Sequence, residues 1–317
     1  MHLSLDGPLG ARVRLQSGVV SRQQAVTAGL PPSVIDNQLR YGRWQRLHSG
    51  VYATFTGPTD REAELWAAVL RAGPASALSH HTAAELHGIT QERAGLIHVT
   101  VPPGLRVQPI SGVVIHRTVT SYRLGPAGNQ LPRTPVPETV LDLTQASRRL
   151  DDAVDWICKG VGRGLTTPDL LVTAVQARKR VRWRADLLRA LGDVTDGVRS
   201  PLEHRYVRDV ERAHGLPSAV RQAPVCVDGR TIYLDNLYEE AGVVVELDGA
   251  AYHPADQRWA DSRRDNDQAE LGHLTLRYNW LDITRRQCVT AAQVGTVLGS
   301  RGMTVRLRRC GPSCTAL

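Results

Sequence analysis

The chain reads Val-Val-Val-Glu-Leu-Asp-Gly at residues 243–249, near the start of its last quarter. Three consecutive β-branched residues are typical of a buried strand, and this strand ends in two carboxylates. Because side chains alternate between the two faces of a strand, Glu246 and Asp248 are expected on the same face. The glycine at 249 lets the chain turn away sharply. The stretch therefore predicts a strand with an acidic end.

A second strand-like run, residues 231–234, ends at another carboxylate, Asp235. If the two runs pair as an antiparallel hairpin, Asp235 approaches Glu246. Carboxylates in a partly dry site repel one another unless a cation lies among them, and carboxylate oxygens suit Mg²⁺ or Mn²⁺. Asp235, Glu246 and Asp248 are therefore the candidate metal ligands. The alternative is a solvated hairpin at the edge of a sheet, with its charges in water.

The order of elements around this hairpin is informative. Upstream, Ser200 and Pro201 are typical of the cap and first position of a helix, and Glu203 lies in its first turn. Downstream come a helical stretch and another strand-like run, residues 274–277. A helix with an acid, an acidic hairpin, then helix and strand is the order of a restriction-endonuclease-like core.

Residues 200–282 resemble the small nuclease-like domains related to very-short-patch repair endonucleases, in the PD-(D/E)xK superfamily. The matching residues are Glu203, Asp235, Glu246-Leu247-Asp248-Gly249, Tyr252-His253, Arg263-Arg264-Asp265, Leu271-Gly272 and Arg277. The resemblance implies a Mg²⁺- or Mn²⁺-dependent DNA endonuclease. Its implied catalytic residues are Glu203, Asp235, Glu246, Asp248 and His253.

The roles implied by that resemblance differ among these residues. Asp235 and Glu246 hold the metal, Asp248 is a further ligand or orients the water, and Glu203 orients the water or a second ion. Asp248 stands where the wider superfamily carries lysine, so the usual cationic partner of the attacking water is missing.

The residues that follow the strand supply the remaining groups. His253 is the candidate base, and the alternative is that it caps the segment ahead of Pro254. Arg263 or Arg264 clamps a neighbouring phosphate of the DNA.

Composition narrows the class of protein. The 317 residues are 42% hydrophobic, which predicts folded domains, and carry a net charge of +8 that lies before residue 200. Nucleic acid is the expected polyanionic partner of such a chain. Without a long apolar run or a signal-peptide pattern, we expect a cytoplasmic protein with no membrane contact. The five cysteines fit a reducing compartment, and Cys310 and Cys314 alone do not predict a zinc site.

Residues 11–55 read as helix, turn, helix and hairpin, the order of a winged helix. The pattern predicts a helix over 19–26, a second from a cap at Ser33, and strands over 44–48 and 50–53. In a winged helix the second helix enters the major groove and the hairpin rests on phosphates. The candidate DNA-binding residues are Gln38 and Arg40 for sequence preference, and Arg43 and Arg46 for affinity.

This N-terminal segment resembles the winged helix of AbiE-type antitoxins, from type IV toxin–antitoxin systems. The resemblance is carried by residues 20–25, 29–30 and 43–52, and more weakly by residues 78–88 and 132–136. It implies DNA binding, often at the protein's own promoter, and a cognate toxin as a second partner. The alternative is a helix-turn-helix used only for protein contacts.

The middle of the chain is predicted as mixed helices and strands. It contains five histidines for which packing and capping roles are expected, because their spacing is not that of a zinc pair on one helix. They are His80, His81, His87, His98 and His116. The basic run at residues 178–184 either follows a phosphate backbone or is a solvated face.

The sequence thus predicts a multidomain protein of α+β and α/β units. Residues 1–58 form a winged-helix domain, 59–198 a mixed α/β domain, 199–300 a restriction-endonuclease-like domain, and 301–317 a tail. The leading function is a DNA-binding, Mg²⁺-dependent endonuclease in DNA repair, phage defence or a toxin–antitoxin system. The alternatives are a non-catalytic transcriptional regulator with the nuclease-like fold as a binding platform, or an antitoxin that pairs with a toxin.

Overall fold

A computed structural model describes residues 7–118, 130–227, 229–248 and 269–317. The chain is a mixed α/β protein that divides into two units. The first comprises Met1–Ser147 and Arg163–Arg180, and the second comprises Arg148–Gly162 and Val181–Leu317. The predicted domain boundaries at residues 58, 198 and 300 stay predictions. Among the described residues, no helix is both long and apolar enough to cross a membrane.

The first unit begins with three helices and a small antiparallel sheet. The helices are α1 (Gly7–Leu15), α2 (Arg22–Thr27) and α3 (Pro32–Arg40), and the strands are β1 (Val19–Ser21), β2 (Gln45–His48) and β3 (Val51–Ala53), in the order β1-β3-β2. The helix predicted over 19–26 begins only at Arg22, because residues 19–21 pair with β3. Ser21 and Gln24 then form a capping box at the start of α2.

The rest of the first unit packs helices on a second small sheet. Its elements are α4 (Arg61–Ala72), β4 (Ala77–Leu78), α5 (His80–His87), β5 (Ile97–Val101), β6 (Val113–Arg117), α6 (Val136–Ala146) and α8 (Pro168–Ala177). β4 is antiparallel to β5, and β5 is parallel to β6. The apolar face of α4 supplies buried side chains to the core of this sheet, among them Leu65 and Trp66.

The second unit contains a four-stranded mixed sheet with helices. Its helices are α7 (Leu150–Gly162), α9 (Arg184–Thr195), α10 (Pro201–Arg205), α11 (Trp280–Arg285) and α12 (Gln287–Ser300), and α10 continues as a π-helix over Tyr206–Arg212. Its strands are β7 (Val220–Val227), β8 (Arg230–Tyr238), β9 (Val243–Asp248) and β10 (Leu274–Asn279), in the order β10-β9-β8-β7. β7, β8 and β9 are antiparallel neighbours, whereas β10 runs parallel to β9.

β9 is the central strand that the valine run predicts. Its three valines are fully buried: Val243 and Val245 pack with Tyr238 in one core, and Val244 packs with Leu237 in another. Both faces of the strand are therefore covered, which explains the uninterrupted apolar run. The antiparallel hairpin of β8 and β9 is confirmed. The edge-hairpin alternative is wrong, because β9 lies between β8 and β10.

Candidate functional site

Glu203 is a buried acid at the start of α10. Its side chain is held there because its carboxylate accepts the backbone N–H of Arg199 at 2.9 Å and the hydroxyl of Ser200 at 2.9 Å. Burial, together with the negative charge of Asp235, raises the pKa of Glu203 to about 7 despite these hydrogen bonds. Glu203 therefore exchanges a proton near neutral pH.

Asp235 lies where β8 leaves its pairing with β9. One of its oxygens accepts the backbone N–H of Leu247 at 3.0 Å, so the carboxylate lies beside the peptide that follows Glu246. The other oxygen accepts a hydrogen bond of 3.2 Å from the Gln222 side-chain amide. Asp235 thus joins the acidic end of β9 to β7.

Gln222 stands between Glu203 and Asp235. It lies on β7 between the pairs that Arg221 and Ala223 form with β8, and its φ of 46° is in the left-handed region that residues other than glycine rarely adopt. Its side chain hydrogen-bonds Glu203 as well as Asp235. A strained backbone at such a residue is typical of a functional position, because the fold must hold it there.

The acids of β9 lie beside a cation from β10. Glu246 is 7% exposed and its partner in the parallel register is Arg277. Arg277 donates to Asp248 at 3.2 Å, and the Asp248 side chain is 47% exposed. Since paired residues in a sheet share a face, positive charge reaches the Glu246 face from β10. This positive charge comes from Arg277 and not from residue 248, where the wider superfamily carries lysine and this chain has Asp248.

Only some of the predicted acidic residues lie close to one another. Glu203 and Asp235 share the Gln222 amide and Asp235 reaches β9, while Asp248 lies at the exposed end of the strand. Within the described ranges, the groups of three or more potential ligand atoms within 4.8 Å of one another are composed of histidine and cysteine, not of carboxylates. A closed three-carboxylate site is therefore not formed.

A Mg²⁺ site does not require three protein carboxylates. Mg²⁺ keeps several of its waters and commonly binds through one or two carboxylates plus a substrate phosphate. Burial of Glu203 and, to a smaller extent, the negative charge of Asp235 raise the pKa of Glu203, and a dication would offset that negative charge. Asp235 and Glu246 supply carboxylate oxygens, which are the ligand type that Mg²⁺ and Mn²⁺ prefer. His253, Arg263 and Arg264 lie outside the described residues.

The candidate DNA-binding residues of the first unit differ in accessibility. Arg40 at the end of α3, Arg43 after it and Arg46 on β2 are exposed to solvent. Gln38 is 7% exposed and faces the core of the unit, so its side chain does not lie with the arginines. The exposed neighbour of Gln38 on α3 is Asn37, which replaces it as a candidate for base contacts.

Three of the five histidines form a stacked cluster. The His98 Nδ1 and His116 Nε2 atoms are 2.9 Å apart, and the His80 ring stacks on that of His116 at 3.6 Å between centroids. Burial, together with the other histidines, lowers the pKa of His80 to about 2 and that of His98 to about 4. The three rings are half-buried, their lowered pKa values favour neutral imidazoles, and one nitrogen of each lies within 4.8 Å of those of the other two, so the packing role expected for these histidines stays a prediction.

Two residues of the acidic site were not predicted as such. Gln222 carries no local signal, since glutamine in a strand is unremarkable, and its role depends on the partners that the sheet provides. Arg277 matched the nuclease resemblance, but its place beside Glu246 follows from the parallel pairing of β9 with β10. A pairing of distant strands is not readable from either strand alone.

Neither a protein-family model nor a curated protein matches this chain.

Proposed function

We propose that the second unit is a restriction-endonuclease-like domain that hydrolyses DNA phosphodiester bonds with Mg²⁺ or Mn²⁺. The observation that carries this proposal is that buried Glu203 and half-buried Asp235 share the side chain of the strained Gln222, while Asp235 also accepts the backbone N–H that follows buried Glu246. Buried acids that repel one another destabilise a fold, so their presence favours a functional role. The sheet order β10-β9-β8-β7, with β10 parallel to β9, also supports the proposal.

The residues have distinct roles in this proposal. Asp235 and Glu246 would hold the ion, with Asp248 at the outer edge. Bound there, Mg²⁺ would polarise the scissile phosphate and lower the pKa of a water. Glu203 would accept or return a proton, because its pKa of about 7 lies near the working pH. Arg277 would provide positive charge beside the phosphate in place of the missing lysine.

Cleavage of plasmid DNA tests the proposal directly. The full chain is incubated with supercoiled, mismatched and single-stranded DNA in Mg²⁺ or Mn²⁺. We expect metal-dependent cleavage that Glu246→Gln abolishes and Glu240→Gln leaves intact, since Glu240 is an exposed carboxylate in the same hairpin. His253→Ala should also abolish cleavage while leaving duplex affinity nearly unchanged. Wild-type protein that cleaves none of these substrates, or Glu246→Gln that cleaves normally, would refute the proposal.

A second proposal concerns the first unit. We propose that α2, α3 and the β2–β3 hairpin act as a winged helix that binds duplex DNA, with a cognate toxin as a protein partner. The exposed Arg40, Arg43 and Arg46 beside α3 and β2 favour phosphate contacts at this face. If the second unit proves inactive on DNA, this binding supports the non-catalytic regulator instead of the nuclease.

DNA binding by this face is measurable by its dependence on salt. The double variant Arg43→Ala with Arg46→Ala should lower the slope of log affinity against log salt by about 2, because each phosphate contact contributes about one counterion. The control removes two exposed arginines elsewhere in the unit, Arg93→Ala with Arg106→Ala. Equal slopes for the two double variants would contradict the assignment of this face.

A further inference from the structure

The C-terminal tail brings two cysteines to a buried histidine. Cys310 and Cys314 lie in residues 301–317, and Cys288 lies in the first turn of α12. His214 ends the helical segment that begins with α10, and it is fully buried. One ligand atom from each of the four residues lies within 4.8 Å of those of the other three.

The hydrogen bonding of His214 defines which ring nitrogen is available. Its Nδ1 lies 3.0 Å from the carbonyl oxygen of Val210, which can only accept, so Nδ1 carries the proton. The other nitrogen, Nε2, is then an unprotonated lone pair. Within the described part of the chain, nothing hydrogen-bonds this buried atom. A buried polar atom without a partner is costly, and metal-binding histidines commonly orient themselves by this kind of Nδ1–H bond to a carbonyl.

The sulfur spacing fits a tetrahedral metal better than a disulfide. The Cys288 and Cys310 sulfurs are 3.6 Å apart. A disulfide requires about 2.05 Å between its sulfurs. Tetrahedral Zn²⁺ with Zn–S bonds of about 2.3 Å places two sulfurs about 3.8 Å apart.

From these contacts we infer that His214, Cys288, Cys310 and Cys314 bind one Zn²⁺ ion, which fastens residues 301–317 to the rest of the second unit. Three sulfurs and one imidazole nitrogen are a ligand set that selects zinc over Mg²⁺ or Mn²⁺. Four protein ligands leave no open position for substrate, so the ion has a structural role.

The path of the tail explains why such a fastening matters. Met303, Val305 and Leu307 pack against the core that contains β9, and the backbone N–H of Arg308 donates to the carbonyl oxygen of His214 at 2.8 Å. Beyond residue 308 most side chains are exposed, and the buried ones among the described residues are Cys314 and Ala316. Residues with so few apolar contacts would fray without a cross-link. An ion bound by α12, His214 and the tail would therefore hold Met303, Val305 and Leu307 against the core that contains β9.

Metal content is the first test. The 317-residue chain purified with a reducing agent and without chelator should contain about one Zn²⁺ per chain, and Cys310→Ser should lose most of it. Cys310 is exposed, so this change is not expected to unfold the protein. Cys226→Ser is the matched control, because Cys226 is an exposed cysteine on β7 of the same unit, and it should retain the zinc. Wild-type protein without zinc, or Cys310→Ser with full zinc, would overturn the inference.

Two further readouts do not depend on any variant. Replacing Zn²⁺ by Co²⁺ in the wild-type chain should produce the thiolate charge-transfer and visible bands of a tetrahedral site with sulfur ligands. Chelation should lower the melting temperature by roughly 5 °C or more and speed alkylation of Cys288, Cys310 and Cys314, but not of Cys226. An octahedral Co²⁺ spectrum, a disulfide between Cys288 and Cys310 under these conditions, or alkylation rates unaffected by chelator would each overturn the site.

Discussion

Replacing Glu203 by glutamine should stabilise the second unit at alkaline pH. Ionising a carboxyl whose pKa is raised from 4.5 to about 7 costs the folded state about 3 kcal/mol relative to the unfolded chain. Glutamine removes this cost. It also loses one of the hydrogen bonds that the carboxylate accepts from Arg199, Ser200 and Gln222, at about 1 kcal/mol. The net expectation is a gain of about 2 kcal/mol at about pH 8.5.

The stability gained by Glu203→Gln depends on pH. Below about pH 4.5 Glu203 is protonated in both the folded and the unfolded chain, so its ionisation costs nothing. The folded state with its higher pKa loses stability as the pH rises from 4.5 to about 7. The gain from Glu203→Gln should therefore be absent at about pH 4 and complete at about pH 8.5.

Native-state hydrogen exchange in EDTA can measure this effect locally. Peptides from β8 and β9 report the opening free energy of the second unit, after correction for the intrinsic exchange rate at each pH. Glu240→Gln is the control, because that carboxylate is exposed, and it should change little. A Glu203→Gln variant that is less stable than wild type at about pH 8.5, or that gains equally at about pH 4 and pH 8.5, would contradict this prediction.

Two other predictions concern the first unit. His80 stays neutral in the folded chain, with a pKa of about 2, but binds a proton below about pH 6.5 when unfolded. Acidification from pH 6.5 to 5 should therefore cost this unit about 2 kcal/mol, a loss that His80→Asn reduces in denaturant unfolding. Arg178→Met removes the buried cation shared by Glu138 and Asp142, and should destabilise the unit by about 3–5 kcal/mol in the same assay. The exposed pair of Arg93 and Glu64 in the same unit is the control, and Arg93→Met should cost less than about 1 kcal/mol.

The local features of the chain follow from the sequence alone. Three consecutive valines at 243–245 identify β9 as a buried strand, because a β-branched run is stable only where both faces of a strand are covered. The cap formed by Ser200 and the position of Pro201 mark the start of α10, since both act within one helical turn. These signals involve neighbours in sequence, whose interactions hardly depend on the rest of the fold.

Features made by residues distant in sequence depended on the tertiary structure. Residues 19–21 form β1 and not the start of a helix because β3 offers them hydrogen bonds across the sheet. The burial of Gln38 follows from packing against the core of the first unit, which helical periodicity alone left open. Local preferences are worth tenths of a kcal/mol per residue, so a paired strand or a buried face outweighs them.

Some residues of the candidate sites were also recognisable from the sequence, whereas others join the sites only through the tertiary structure. The acidic residues on β8 and β9 were recognisable from the sequence, because the strands are adjacent and their alternation is regular. Gln222 and Arg277 join them only through the pairing of β7 with β8 and of β10 with β9. Cys310 and Cys314 were too few to indicate zinc until folding brought Cys288 and His214 beside them. A ligand set drawn from three separate segments has no sequence spacing to detect, because only the packing of helices and tail sets its distances.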